Sequence, residues 1–344
     1  MNLRRSWFAL ISILLAGPLL WAAIRQVQRG EEALSLLHAC VNAHRHVGYS
    51  GNVGWERKGE CRTVGVRHDS ESGRTRYAWK KKGKWPPFTL SRPGSRMGDP
   101  AGWCLDEEAL LRSYRVQLEG ATRHLDRSAQ LLIVEPRLAG RPRLEVVVDR
   151  ATKLPLKVTT FKPDGEIYRV ASFSSLEIGP QEVKESRWGS SKNFFGDEVP
   201  LEGASAAAGY GIRVPAYLPE GFELRECRVN SRWMGKVWMT FTDGVTAFDL
   251  NQSVVPTPAQ LETFFQRKMS WERAARMVRM SVDRRLRRAL KEGAEGGVAV
   301  VRHKRKRMHR TYDLRVDDLE ISLTARADFD AEECLRVLGS LRPQ

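Results

Sequence analysis

The sequence lacks the residue patterns on which most enzymes are built. It has no GxGxxG or GxxxxGK[ST] loop, no HExxH, no GxSxG turn and no EF-hand loop. Phosphate cradling, zinc proteolysis, serine hydrolysis and calcium-loop binding therefore have no starting motif. Cysteine is scarce too. Cys40, Cys61, Cys104, Cys227 and Cys334 are the full set, and no two are spaced as CxxC. That excludes zinc-ribbon spacing and a thioredoxin-like dithiol. His44 and His46 would share one face of a strand, but no carboxylate follows closely and a helix ends there. They read as solvated or capping histidines, and Asp317-Asp318 reads as a turn. No metal, no cofactor and no enzymatic activity are expected.

Long apolar runs are missing apart from one. Trp7 to Ile24 is apolar, interrupted by Gly17-Pro18, and follows Arg4-Arg5. A basic start before such a run reads as an export signal or a membrane anchor covering residues 1–25. A buried core helix is the bland alternative. Either leading option puts the body in the periplasm or on the extracytoplasmic face of the membrane, and basic residues before the run favour that orientation. An oxidising compartment permits disulfides. Cys227 and Cys334, expected in one domain, are the candidate pair; small buried hydrophobes are the alternative reading.

What is present is alternation. Leu144, Val146 and Val148 alternate with Glu145 and Asp149, broken only by Val147. Leu154, Leu156 and Val158 alternate with Lys153, Lys157 and Thr159. Period two with β-branched residues predicts strands of a sheet with one buried face. Asp149-Arg-Ala-Thr-Lys reads as the turn between them, and Pro163-Asp164-Gly165 predicts a turn before the next strand, since proline presets φ, aspartate bonds its own backbone and glycine supplies a positive φ. Upstream, Ala33, Leu36, Leu37, Cys40 and Val41 predict a helix over 29–45, followed by a strand with Tyr49, Val53 and Trp55 on one face. Glu107 to Tyr114 predicts a short helix. The pattern over 131–178 describes a strongly curved antiparallel sheet able to wrap an apolar ligand or a helix. Tyr49, Val53, Trp55, Leu154, Leu156 and Val158 are the candidate cavity liners, and they fit an ordinary core equally well. Trp79, Trp85 and Trp103 mark either a binding mouth or core.

Residues 181–208 are rich in Gly, Pro, Ser and Ala and read as a linker or long irregular connection between a domain over 26–180 and a second over 209–344. In the second, Asp243-Gly244 between two alternating runs predicts a hairpin. Charge is unevenly spread. The window Arg267–Arg310 holds 16 Lys+Arg against 4 Asp+Glu, in a chain of formal net charge +16. It comprises an arginine-rich helix, Ser270 to Glu292, and the run after His303. Arg284, Arg285, Arg287, Arg288, Lys304, Arg305, Lys306 and Arg307 form a candidate patch for an anionic partner. It fits a solvated face, an anionic membrane surface or lipopolysaccharide, or an acidic protein. Nucleic acid is disfavoured, because no aromatics are interleaved and an exported domain rarely meets it.

The order of these segments resembles the MucB/RseB family of periplasmic regulators of the sigma-E envelope stress response. The resemblance rests on ALSLLHACVNAHRHVGYSGNVGWERKGECRTVGVRHD, WCLDE, VVVDRATKLPLKVTTFKPDGEIYRVASFSSLEIG, VPAYLPEGFEL and VWMTFTDGVTAFDL. It covers about 31–255 and 311–340 and depends on the order of motifs, none of them catalytic. It implies an α+β fold: an N-terminal curved antiparallel half-barrel with helices, similar to the carriers LolA and LolB, plus a smaller C-terminal α+β domain. It also implies binding to the periplasmic segment of a membrane anti-sigma factor, shielding it from proteolysis until lipopolysaccharide or mislocalised lipoprotein releases it. A LolA-type lipid or lipoprotein carrier with no signalling role is the alternative. The sequence departs from the family over Leu105–Leu131 and in the basic insertion over 267–310.

Overall fold

A computed structural model describes residues 27–57, 60–79, 88–90, 99–183, 196–231, 235–254, 302–305, 309–316, 319–326 and 329–344. The N-terminal run, Trp85 and the arginine-rich helix with Arg284, Arg285, Arg287 and Arg288 lie outside them, as do Lys306, Arg307 and Asp317-Asp318. The chain divides into two compact units, Met1–Ser191 and Lys192–Gln344.

The first unit opens with helix α1, residues 27–42, which a 3-10 turn, Ala43–Arg45, ends. Its buried stripe is Ala33, Leu36, Leu37 and Cys40, the helical spacing read from the sequence. Nine antiparallel strands follow: β1 Tyr49–Arg57, β2 Glu60–Asp69, β3 Arg74–Trp79, β4 Phe88–Leu90, β5 Tyr114–His124, β6 Arg127–Pro136, β7 Arg143–Asp149, β8 Pro155–Phe161 and β9 Ile167–Ile178. They form one sheet in the order β4-β3-β2-β1-β9-β8-β7-β6-β5. Helix α2, Glu107–Ser113, is capped by Asp106, whose carboxylate accepts the Ala109 N–H, a standard N-cap.

The turns follow from their residues. Gly165 adopts φ +87° and donates its N–H to the Lys162 carbonyl, while the Asp164 carboxylate accepts the Glu166 N–H. Val147, which breaks the alternation, sits at a register shift between β7 and β8. A bulge of this kind adds a residue to one strand and bends it. Gly51 is required where β1 crosses β9: a Cβ there would stand 2.1 Å from the Ser175 carbonyl oxygen.

The second unit holds a seven-stranded antiparallel sheet in the order β10-β12-β13-β14-β17-β16-β15. Its strands are β10 Asp197–Glu198, β12 Glu223–Asn230, β13 Lys236–Thr242, β14 Ala247–Val254, β15 Arg302–Arg305, β16 His309–Val316 and β17 Leu319–Arg326. A small ladder pairs β11, Arg213–Pro215, with β18, Leu341–Pro343. The expected Asp243-Gly244 hairpin joins β13 to β14. Asp243 is fully buried, and its Oδ1 accepts the N–H groups of Val245 and Thr246. Helices α3, Leu201–Ala208, and α4, Ala331–Gly339, complete the unit.

The stretch 197–208 differs from the irregular connection expected of it. Asp197-Glu198 pairs with β12, and LEGASAAA is helical, ending at Gly209 in the left-handed region. Alanine's high helix propensity outweighs the Gly and Ser that suggested a linker.

Cys227 and Cys334 do lie in the same core, at 3% and 0% exposure. They are thiols there, not a disulfide, and burial pushes the Cys227 thiol up to about 11. The expected pair is therefore corrected: both sulfurs serve as small apolar packing. The surrounding cluster is aromatic, with Phe241 stacked on Phe248 at 5.0 Å and Phe222 and Phe329 packed against the same ring.

Candidate binding site on the N-terminal sheet

The six candidate liners all lie in the first unit, at 0–4% exposure. Cross-strand register explains their grouping. Trp55 stands opposite Ala171, Ala171 opposite Val158, Val158 opposite Val146, Val146 opposite Leu132, and Leu132 opposite Leu118. One apolar row thus crosses six strands, from β1 to β5. Tyr49, Val53, Trp55 and Leu154 belong to a cluster closed by Ala43, Val64, Val66, Tyr77, Ala101 and Phe173. At that end the face is filled by the protein's own side chains. Trp103 is likewise buried.

The row opens at its other end. A groove of about 420 Å³ lies between α1 and the β5–β6 edge, lined by Glu31, Glu32, Ser35, Leu36, Ala39, Leu118, Gln130 and Lys153. Its floor is Leu36, Ala39 and Leu118, and its rim is polar. The volume falls in the lower part of the roughly 300–1,000 Å³ typical of small-ligand clefts. None of the six candidate liners touches it. Alternation identifies the face of the sheet but not where a helix leaves that face uncovered, so sequence reasoning did not find this groove.

The filled end holds a buried polar cluster that no motif announced. Asp99, 2% exposed, caps the 3-10 turn Pro100–Gly102. Its Oδ2 accepts hydrogen bonds from the hydroxyls of Tyr49 at 3.0 Å and Tyr77 at 2.9 Å. Its Oδ1 accepts the Ala101 N–H. Burial pushes the carboxyl up to about 6, against the pull of those donors. Beside it, His68 is buried, with Nε2 2.6 Å from the His44 carbonyl and Nδ1 2.8 Å from the Thr75 hydroxyl. A neutral ring donating from Nε2 and accepting at Nδ1 satisfies both. Burial lowers its pKa, although the His44 carbonyl and Asp69 favour the charged form. Tyr49 packs on the His68 ring at 5.0 Å. The only sequence signal for this cluster was Asp99-Pro100, an N-cap followed by a proline suited to the first turn. Its partners are 22 and 50 residues away.

Lys304 and Arg305 of the basic patch occupy the edge strand β15, while the four arginines of the helix are outside the described residues. Among the described residues, no group of three or more His, Cys, Asp or Glu is placed to hold a metal ion.

The described residues form two antiparallel sheets with flanking helices, an α+β architecture with one face left open as a groove beneath α1. Residues 82–191 match the family model described as the MucB/RseB N-terminal domain. No curated protein sequence matches the chain. Among solved structures, the fold is similar to MucB in complex with MucA(peri), at 20% identity and TM-score 0.55, covering 91% of this chain and 99% of that one. The Pseudomonas aeruginosa MucA/MucB complex gives 20% identity and TM-score 0.54 over the same shares. MucB alone gives 18% and 0.55, over 91% of this chain and 98% of that one.

Proposed function

We propose that this chain is a non-enzymatic envelope protein of the MucB/RseB type, which binds the extracytoplasmic segment of a membrane anti-sigma factor. The observation that carries the reading is the extent of the likeness. The match spans 91% of this chain and 99% of MucB, a protein solved with MucA(peri). The match to the family model is independent of that superposition. In this reading the N-terminal sheet is a curved half-barrel, the first domain runs 26–180, the second takes in β10 and α3 as well as 209–344, and the body works outside the cytoplasm after its N-terminal run directs export.

The groove under α1 adds a ligand of stated chemistry. Its apolar floor and polar rim suit a hydrocarbon tail, with a headgroup near Lys153, Glu31 and Glu32. An acyl chain from lipid, lipopolysaccharide or lipoprotein is thus the sensed molecule. The groove equally supports the second reading, a carrier of the LolA type.

Titration of the full-length protein with the extracytoplasmic segment of an anti-sigma factor separates the two. Stoichiometric binding with a dissociation constant of micromolar or below, about −8 kcal/mol, is expected. Absence of binding, with acyl ligand recovered by mass spectrometry after solvent extraction, would favour the carrier. Ala39→Trp, which fills the groove, is expected to abolish acyl recovery and leave anti-sigma binding intact.

A further inference from the structure

We infer that the tip of the β5–β6 hairpin, residues 124–127, is a releasable clasp: it fastens β5 to β9 across the curve of the first sheet, sets the width of the groove beneath α1, and lets go when a hydrocarbon tail fills that groove. The last step rests on the acyl ligand proposed above; the fastening and its hold on the groove wall do not.

Three observations meet at the tip. First, it touches a strand that the sheet order puts far away. β5 and β9 stand four places apart, with β6, β7 and β8 between them, about 19 Å in a flat sheet at roughly 4.8 Å per strand. His124 Nε2 nevertheless lies 3.1 Å from the Phe173 carbonyl oxygen and 3.1 Å from Ser172 Oγ. With its proton on Nε2 the ring donates to that carbonyl, and the Ser172 hydroxyl donates to the same oxygen at 3.2 Å. Second, the turn is made of residues ill suited to it. Leu125 has φ +50° and Asp126 φ +58°, between the paired His124 and Arg127. A two-residue hairpin with positive φ at both central positions favours Asn-Gly, because a larger side chain crowds the left-handed region. Leu125 is held there by packing of its side chain against the cluster of Tyr49, Leu154 and Phe173. Backbone strain that only tertiary packing maintains is a property of clamps and switch segments. Third, the fastening is slender, because no backbone ladder joins β5 to β9.

The same hairpin carries the groove wall. Leu118 on β5 and Gln130 on β6 line the groove. Arg127, at the tip, passes the constraint to a third lining residue. Its guanidinium donates twice to the Asp149 carboxylate, at 2.9 and 3.0 Å, and the Asp149 carbonyl accepts the N–H of Lys153. Lys153 stands at φ +62° beside the groove. Leu118, Gln130 and Lys153 are thus set against α1 by one chain of bonds that ends at His124 and Leu125. A tail thicker than the groove lifts this wall from α1 and pulls on the clasp, so occupant and clasp oppose each other.

Native-state hydrogen exchange of the full-length protein reads the clasp without ligand. Amides of residues 124–127 and 173–174 are expected to exchange through a local opening, at denaturant concentrations that leave β7 and β8 protected. The double variant Leu125→Asn, Asp126→Gly keeps a favourable two-residue turn and removes the leucine anchor. In it, exchange should rise by about tenfold or more at residues 117–119 and 130–132 as well as at the tip. His124→Ala should act alike, and His124→Gln, whose amide offers a donor where Nε2 stands, should restore the wild-type rate. A rise confined to the tip, or exchange at the tip only on global unfolding, would overturn the clasp. Calorimetric titration with lauroyl lysophosphatidylethanolamine, below its micelle concentration, reads the opposition. The double variant and His124→Ala should bind it about five- to tenfold more tightly than wild type, and the ligand should speed exchange at 124–127 in wild type. Equal or weaker binding by both variants would overturn release by the tail. No binding by any of the proteins would remove the acyl ligand and release with it, while the exchange rates still decide the fastening.

Discussion

The two sheets use the same antiparallel construction and finish their edges and interiors differently. The N-terminal sheet lays one apolar row across six strands, fills one end of it with Tyr49, Phe173 and Ala101, and leaves the other end open beneath α1. The C-terminal sheet packs its interior with stacked phenylalanines and buried thiols. At one edge the two-residue strand β10 pairs with β12, and Glu198 meets Arg228 at 3.1 Å. The contrast sets a sheet face left open beneath α1 against a core closed by aromatic rings. Asp99 and His68 are buried in the first unit, at the filled end of the row.

The largest expected effect tests whether the second core is independent. Phe248→Ala removes a fully buried ring in contact with Phe222, Phe241 and Phe329. A loss of about 3–5 kcal/mol is expected. In urea titration followed by circular dichroism, the C-terminal transition should move to lower denaturant while that of the N-terminal unit stays in place.

Next comes Asp149→Ala in the first unit. Asp149 is 1% exposed and takes two hydrogen bonds from the Arg127 guanidinium, at 2.9 and 3.0 Å, and two from Thr152. Burial pushes its pKa up, but Arg127 and Thr152 outweigh burial, and the net shift is downward. Removing the carboxylate should cost about 2–3 kcal/mol, less than for a fully enclosed pair because the arginine is partly solvated. The stabilisation is present above about pH 4, the unfolded value, and is lost as pH falls through the lower folded value.

A smaller effect is the pH response of the buried cluster. The raised Asp99 value means that its contribution is complete below about pH 4, the unfolded value, and is lost as pH rises through about 6. His68, lowered by burial, contributes above its unfolded value and loses that contribution as pH falls through the folded one. The two slopes oppose each other, so wild-type stability of the first unit should vary little between pH 5 and 7. Asp99→Asn should unmask a loss on acidification, and His68→Gln a gain. Urea midpoints at pH 5, 6 and 7 read both; parallel profiles for the three proteins would remove the cluster from the pH response.

The smallest effect concerns the thiols. Adding reductant should shift the melting temperature of the C-terminal unit by less than about 1 °C, because Cys227 and Cys334 are not joined. A loss near the 2–4 kcal/mol typical of a broken disulfide would contradict their packing role. Exposed Cys61 should alkylate before buried Cys40, whose thiol is pushed up to about 12 by burial.

How much of this could be read from the residues depends on the range of the interaction. Local pattern located α1, β7, β8 and the two turns at Gly165 and Gly244, because period, propensity and turn chemistry act within a few residues. The buried face that holds Tyr49, Val53, Trp55, Leu154, Leu156 and Val158 was legible for the same reason. The groove was not, since its lining comes from α1, β5, β6 and Lys153, and only folding brings them together. The Asp99 cluster joins three strands and a loop, and a single aspartate in a loop gives no period to detect. The helix at Leu201–Ala208 was misread because Gly and Ser outvoted a run of alanines whose helix propensity decides the matter.

The most direct trial is calorimetric titration of the full-length protein with the extracytoplasmic segment of an anti-sigma factor from the same cell. One-to-one binding in the micromolar range or tighter, retained in Ala39→Trp, is the expected result. Saturating amounts of every such segment producing no heat and no complex would contradict the assignment at its root.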